Sequence, residues 1–154
     1  MATLRVETEV RAPIGEVFAV CADIAGAAGR VRNIRRIEIL TPGGRSMLGM
    51  RWRETRDVLG REVSEELEMT AFEQDQSFTI TSARHGTRFD VTFRFAPTAE
   101  GTKVTATLDI VPQTFGAILT APFGVMLLSV LKKNLEEDLR DLKQAIEGTP
   151  VALA

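Results

Sequence analysis

One stretch of the sequence decides the fold: FGAILTAPFGVMLLSVLKKNLEEDLRDLKQAIE, residues 115–147. Apolar residues recur through it at steps of three and four, namely Leu128, Leu131, Leu135, Leu139, Leu142 and Ile146. This spacing predicts a helix with one buried face. Starting at Pro122, the helix would run about 39 Å at about 1.5 Å per residue. A helix of that length needs a broad apolar surface beneath it, and the rest of the chain offers a sheet.

The two halves of this stretch differ in charge. Residues 115–131 carry no charge, whereas residues 132–147 are strongly charged. On the side opposite the apolar stripe, the second half presents Glu137, Arg140, Asp141 and Gln144, and the first half presents Phe123, Met126 and Val130. Either a loop covers this apolar outer side, or it forms the mouth of a cavity or a partner-binding surface. A transmembrane span is not expected, because the uncharged run is shorter than the roughly 20 residues that a span requires.

The composition is that of one globular domain. The chain has 154 residues, of which 44% are hydrophobic and 26% are charged, and its net charge is −2. We expect a single domain over residues 1–148 and a frayed tail at residues 149–154. The weak negative charge argues against nucleic acid as a partner. The opening residues lack the apolar core of a signal peptide, so a cytoplasmic location is predicted.

Alternation of apolar and polar residues predicts strands along most of the remaining chain. The first strand covers residues 4–10, and two short helices follow, one opened by Pro13 and a weaker one in the glycine-rich residues 22–30. Six further strands are predicted at residues 34–40, 47–56, 61–72, 77–82, 87–97 and 102–111. Their short connections imply antiparallel hairpins. The predicted fold class is therefore α+β, a curved antiparallel sheet of about seven strands wrapped around the long C-terminal helix.

Two acidic residues lie on strand faces that are otherwise apolar, Glu54 in the third strand and Glu65 in the fourth. The residues sharing their faces are Met50 and Trp52 for Glu54, and Val63, Leu67, Met69 and Ala71 for Glu65. Facing the interior, the two carboxylates would orient a polar group of a ligand or act as acid and base. Alternatively, they lie near the sheet ends and pair with Arg51, Arg53 or Arg61, or a bulge turns them outward.

Few other residues offer chemistry. The single histidine, His85, lies in a predicted turn, and Cys21 is the one cysteine. A His/Cys metal site, an internal disulfide and a Ser-His-Asp triad are therefore not expected. Four cations crowd a short segment: Arg30, Arg32, Arg35 and Arg36. They indicate an anion or headgroup site beside a cavity mouth, a weak membrane-surface patch, or a solvated sheet edge that is kept charged against edge pairing.

The order of elements resembles the helix-grip fold of the START/SRPBCC superfamily, on its polyketide cyclase/dehydratase-like and lipid-transport-like branch. Three segments carry the resemblance: APIGEVFAVCADI at residues 12–24, MRWRETRDVLGREVSEELEMTAFE at residues 50–73, and the closing helix. The resemblance implies an internal apolar cavity between sheet and helix that holds lipids, polyketides or other hydrophobic molecules. The chain departs from the family pattern at residues 25–30, where members often carry an aromatic residue.

Three functions are compatible with these observations. The leading hypothesis is binding of a hydrophobic small molecule, without metal or nucleotide cofactor. The second is a cyclase/dehydratase-type enzyme in which Glu54 and Glu65 move protons. The third is a module that docks a protein or a membrane surface through the apolar start of the long helix. The sequence leaves the ligand and the oligomeric state open. The predicted cavity lining comprises Trp52, Glu54, Glu65, Leu67, Met69, Phe78, Ile80, Phe89, Val91, Phe93, Val104 and Leu108 from the sheet, and Gly124, Leu127, Leu128 and Leu131 from the helix.

Overall fold

The computed structural model describes residues 2–114 and 124–148, with side chains for residues 3–114 and 128–148. In this part of the chain, one antiparallel sheet is formed by β1 (Ala2–Val10), β2 (Ile34–Thr41), β3 (Arg51–Val58), β4 (Arg61–Glu73), β5 (Ser77–Arg84), β6 (Thr87–Pro97) and β7 (Thr102–Pro112). The strand order is β1-β7-β6-β5-β4-β3-β2, so β1 and β2 are the sheet edges. The helices are α1 (Ile14–Ala22), a 3₁₀ helix (Ala27–Gly29) and α2 (Gly124–Glu147). The predicted helix-grip fold is confirmed.

Two hairpins close with turns of two residues. Leu59 and Gly60 have φ of 52° and 81°, and His85 and Gly86 have φ of 50° and 77°. Positive φ at both positions is typical of a type I′ turn, whose twist matches that of the flanking strands. The first of these turns sets the register of β3 on β4, which pairs Val58 with Arg61 and continues without interruption along the hairpin.

The core at one end of the sheet is aromatic. Phe18 of α1 lies edge-on to three rings of the sheet, with centroid distances of 5.5 Å to Phe72, 5.7 Å to Phe78 and 5.1 Å to Phe95. Phe78 in turn stacks on Phe93 at 5.0 Å. Edge-to-face and offset contacts of this kind are the favoured geometries of aromatic pairs. Helix α1 therefore closes this end of the sheet's inner face.

The prediction that Ala71 of β4 faces inward was wrong. The pairing with β5 shifts between Met69 and Ala71, so Thr70 is an extra residue in the ladder. Such a bulge reverses the faces of the residues that follow it. Ala71 is exposed, while Phe72 turns inward and packs against Phe18.

Helix α2 crosses the inner face of the sheet and buries Leu135 and Leu139 there. On one flank it contacts the edge strand β1, where the Lys143 ammonium donates to the backbone carbonyl of Glu9 at 2.6 Å. On the other flank it contacts the segment before β2 and the strand β3. The helix is therefore held from both sides of the curved sheet.

The polar outer side predicted for α2 is only partly exposed. Arg140 and Gln144 are exposed, but Asp141 is buried and Glu137 is half-buried. Asp141 accepts hydrogen bonds from the backbone N–H of Arg32 at 2.9 Å and from its Nε at 3.2 Å. The prediction that Asp141 faces outward was wrong because residues 31–34 pack over this side of the helix, with Val31 and Ile34 burying Leu142.

Candidate functional site

Strand β3 directs three polar or aromatic side chains to the inner face of the sheet. Trp52, Glu54 and Arg56 are two residues apart, so they share one face of the strand. Trp52 is 0% exposed, and its indole Nε1–H donates to Glu54 Oε1 at 3.3 Å. A buried indole N–H needs such an acceptor. Glu54 thus points inward, which is one of the two alternatives that its strand position left open, and one of its oxygens accepts from Trp52.

Arg56 links the sheet to the helix. Its Nε donates to Glu54 Oε2 at 2.5 Å. Its Nη1 and Nη2 donate to Asp138 Oδ1 and Oδ2 of α2 at 3.0 and 2.9 Å. Paired donation from a guanidinium to a carboxylate is a strong, geometrically specific interaction. The alternative pairing of Glu54 with Arg51, Arg53 or Arg61 is therefore replaced by pairing with Arg56.

The charge of Arg56 is favoured in this network, whereas burial raises the pKa of Asp138 despite its pairing with Arg56. Burial disfavours the charge on Arg56, but the carboxylates of Asp138 and Glu54 outweigh it and raise the pKa of the guanidinium above its ordinary value. Arg56 therefore remains a cation, and each of its three side-chain nitrogens donates to a protein carboxylate.

Glu65 has a different environment. It lies directly opposite Glu54 in the β3–β4 register and is half-buried on the same inner face. Within the described residues it has neither a hydrogen bond nor an ion pair. Burial, followed by the Glu54 carboxylate, raises the pKa of Glu65, and Arg84 and Arg56 offset part of this effect. Glu65 is thus a carboxyl group that a bound molecule can reach and that no described protein donor satisfies.

The predicted apolar lining divides into two groups. Phe78, Phe93 and Val104 belong to the packed core, as do Trp52, Leu67, Met69 and Leu108. Ile80, Phe89, Val91, Leu128 and Leu131 are half-buried. Gly124 lies in the first turn of α2, and the side chain of Leu127 lies outside the described residues. The half-buried group lies toward the start of α2, away from the end that α1 closes.

The interaction surface predicted at the start of α2 is only partly described. Val130 is half-buried, whereas Phe123 and the side chain of Met126 lie outside the described residues. No helix within the described ranges is both long and apolar enough to cross a membrane. Docking through this surface therefore stays a prediction, as does the cytoplasmic location.

The four arginines of residues 30–36 have partners elsewhere in the fold. Arg30 pairs with Asp23 at 2.8 Å, Arg35 with Asp57 at 2.6 Å, and Arg32 with Asp141 at 3.2 Å. The fourth, Arg36, donates to Thr55 Oγ1 at 3.4 Å. Because Arg35 and Arg36 lie in the edge strand β2 and all four arginines have protein partners, this arrangement favours the sheet-edge interpretation over an anion site. His85 is exposed in the β5–β6 turn, as predicted.

An open groove of about 930 Å³ lies between β1 and α2. Charged residues dominate its lining: Arg5, Glu7, Lys132, Glu136, Arg140 and Lys143. It is on the opposite flank of α2 from Arg56 and Asp138, and its ionic groups are mostly exposed. We therefore place the candidate site at the inner face beside Glu65 rather than in this groove.

Sequence reasoning missed Arg56 and Asp138, although both carry a signal. Arg56 is two residues beyond Glu54, which puts it on the same strand face. Asp138 is three residues after Leu135 and four before Leu142, which puts it within the apolar stripe of the helix. A lone acid in such a stripe predicts a buried cation opposite it.

Comparison with known proteins supports this architecture. The sequence matches, over residues 1–147, the family model described as polyketide cyclase / dehydrase and lipid transport. No curated protein matches it significantly. The Zhui aromatase/cyclase from Streptomyces sp. R1128 superposes with a TM-score of 0.79 at 20% identity, covering 95% of this chain and 93% of that chain.

Two further solved structures are similar. A START superfamily protein from Mycobacterium smegmatis has a TM-score of 0.75 at 14% identity, covering 94% of this chain and 97% of that chain. A protein from Thermus thermophilus has a TM-score of 0.77 at 20% identity, with the same coverage of 94% and 97%. At these identities the structural likeness shows the fold alone. The family model spans nearly the whole chain, however, and the chain therefore belongs to the polyketide cyclase / dehydrase and lipid transport family.

Proposed function

We propose that this protein binds a hydrophobic small molecule between the inner face of the sheet and the first turns of α2. The observation that carries the proposal is the gradient of burial along the inner face. Phe78 and Phe93 are buried at the end of the sheet that α1 covers, whereas Ile80, Phe89 and Val91 are half-buried. Covering such apolar surface with a ligand is favourable by about 25 cal/mol per Å².

Glu65 supplies the polar anchor of the site. Small-molecule pockets are mostly apolar and contain a few polar groups that orient the ligand. Glu54 also lies on this face, but Trp52 and Arg56 already occupy both of its oxygens. We therefore assign ligand anchoring to Glu65, and to Glu54 the role of shaping the wall beside it.

The first test is direct detection of a ligand. Native mass spectrometry of freshly purified protein, followed by organic extraction, identifies any retained hydrophobic adduct. Titration with the neutral dye N-phenyl-1-naphthylamine then measures the capacity of the emptied site. A saturable increase in dye fluorescence is expected, and absence of both adduct and dye binding would overturn the proposal.

A matched pair of variants locates the binding. Val91→Phe adds bulk to the half-buried inner face and should weaken dye binding by about tenfold, equivalent to about 1.4 kcal/mol. Val111→Phe makes the same change on β7 at a position paired with the outward Arg88. This control should bind the dye like the wild type. Equal binding by both variants would place the dye elsewhere.

A cyclase/dehydratase-type enzyme is the second candidate, favoured by the raised pKa of Glu65 beside a second carboxylate. Perturbed carboxyl groups in apolar clefts are candidates for acid–base catalysis. Because the oxygens of Glu54 are held in the network, Glu65 is the group that would move a proton. With a polyketide-like substrate, Glu65→Gln should abolish turnover and retain binding. Retained turnover would exclude this role.

A further inference from the structure

We infer that the site selects hydrophobic ligands carrying a hydrogen-bond donor, a hydroxyl or an amine, and discriminates against hydrophobic carboxylates. This inference rests on the proposed binding function and specifies its ligand class. It follows from the count of charged groups on the inner face, from the engagement of Arg56, and from the free carboxyl of Glu65.

The charged groups at the site are unbalanced. Among the described residues, three carboxyl groups, those of Glu54, Glu65 and Asp138, are set against two guanidinium groups, those of Arg56 and Arg84. Arg84 acts on Glu65 from the last residue of β5, where it is exposed and therefore screened by solvent. The inner face therefore has a negative field, and charges interact more strongly there than in bulk water because the surroundings are partly buried.

Arg56 is unsuited to receive an anionic headgroup. All three of its nitrogens already donate to protein carboxylates, one to Glu54 and two to Asp138. A ligand carboxylate would have to compete with these groups and would also repel them. Removing a buried ionic partner carries a large free-energy penalty, so the competition favours the protein's own carboxylates.

Glu65 defines what the site accepts. An ionised carboxylate can only accept hydrogen bonds, and this one lies half-buried without a donor among the described residues. A hydroxyl or ammonium group on the ligand would satisfy it. The half-buried Ile80, Phe89 and Val91 would cover the apolar remainder of the molecule.

The test uses three probes that share one ring system and chain length: the amine 2-(2-naphthyl)ethylamine, the alcohol 2-naphthaleneethanol and the carboxylate of 2-naphthaleneacetic acid. Each probe is titrated into the complex of wild-type protein with N-phenyl-1-naphthylamine at pH 8, and the loss of dye fluorescence gives its affinity. We expect the amine and the alcohol to bind at least about tenfold more tightly than the acid. Glu65→Gln should bring the amine-to-acid ratio toward one, whereas Glu68→Gln, at an exposed position of the same strand, should leave it unchanged.

The possible outcomes distinguish failure of the ligand selectivity from failure of the proposed binding function. If the dye binds and the acid displaces it as well as the amine does, or no probe displaces it, the selectivity is wrong while the binding function stands. If neither the dye nor any probe binds, the binding function is wrong and the inference falls with it. The wild-type comparison alone decides between these cases, so it does not depend on the folding of a variant.

Discussion

Arg56 and Asp138 join β3 to α2 through two parallel hydrogen bonds of 3.0 and 2.9 Å. The two side chains are only 22% and 14% exposed. Because Arg56 also binds Glu54, whose other oxygen accepts from Trp52, the connection reaches the centre of the sheet's inner face. This pair holds the flank of the helix opposite β1 and so sets the spacing between helix and sheet beside the candidate site.

Breaking this pair should be strongly destabilising. Asp138→Ala leaves Arg56 with only Glu54 as a buried counterion, and loss of one partner of a buried pair costs about 3–5 kcal/mol. Urea unfolding followed by circular dichroism measures the change. The control is Glu136→Ala, an exposed position two residues away, which should cost less than about 0.5 kcal/mol. A similar effect of both variants would show that the pair contributes little.

The stability that the contact between Asp141 and Arg32 contributes should come from the Asp141 carboxylate and not from the Arg32 guanidinium. Asp141 is 5% exposed and accepts from the Arg32 backbone N–H, whereas the Arg32 side chain is 76% exposed. Asp141→Ala leaves that backbone donor without its acceptor and should cost about 1–3 kcal/mol. Arg32→Ala retains the backbone bond and should cost less than about 1 kcal/mol. Urea midpoints of the two variants check this order, and a reversed order would contradict it.

Glu65 should make the protein less stable as pH rises. Its pKa is raised above the ordinary value of 4.5, chiefly by burial and then by Glu54. Between that value and the raised pKa, the folded state binds more protons than the unfolded state, so the free energy of unfolding decreases with increasing pH. Wild-type protein should lose stability relative to Glu65→Gln from pH 4.5 to pH 8, measured by urea unfolding at each pH. Parallel profiles for the two proteins would refute this assignment.

Leu59 is a site for stabilisation. It is 84% exposed and has a φ of 52° in the β3–β4 turn. This left-handed conformation costs an ordinary residue about 1 kcal/mol, whereas asparagine adopts it readily. Leu59→Asn should raise stability by about 0.5–1 kcal/mol and the Tm by about 1–4 °C. Leu59→Val, which adds a β-branch, should lower the Tm in the same scan; a lower Tm for the asparagine variant would argue against strain at this turn.

Cys21 should be unreactive in the folded protein. Burial raises the pKa of its thiol to about 12 from an ordinary 9.0, and Arg30 offsets only part of this. The reactive thiolate is then about a thousandfold rarer at pH 8. We expect reaction with 5,5′-dithiobis(2-nitrobenzoate) to be at least about a hundredfold slower than in urea-unfolded protein. Comparable rates in the two states would show that the thiol is accessible and ionisable.

Much of the fold could be predicted because its signals are local. The period of two along β6 and β7 and the three-to-four spacing along α2 each depend on neighbouring residues only, and they correctly predicted these elements, the inward faces of the two strands and the buried apolar stripe of the helix. The inward direction of Glu54 followed from the same alternation with Trp52. The bulge at Thr70 has no comparable signal, since an extra residue in one strand is defined only by the partner strand across from it.

By itself, the sequence determined the sheet, the closing helix and the presence of two acids on apolar strand faces. Only the tertiary structure decided how those acids differ. Glu54 pairs with Arg56, whose other two nitrogens bind Asp138, 82 residues further along the chain, whereas Glu65 has no such partner in the described residues. Likewise, Asp141 is buried because residues 31–34 pack on α2. Ion pairing depends on the distance between atoms in space, and helix packing brings together groups whose separation along the chain carries no information about that distance.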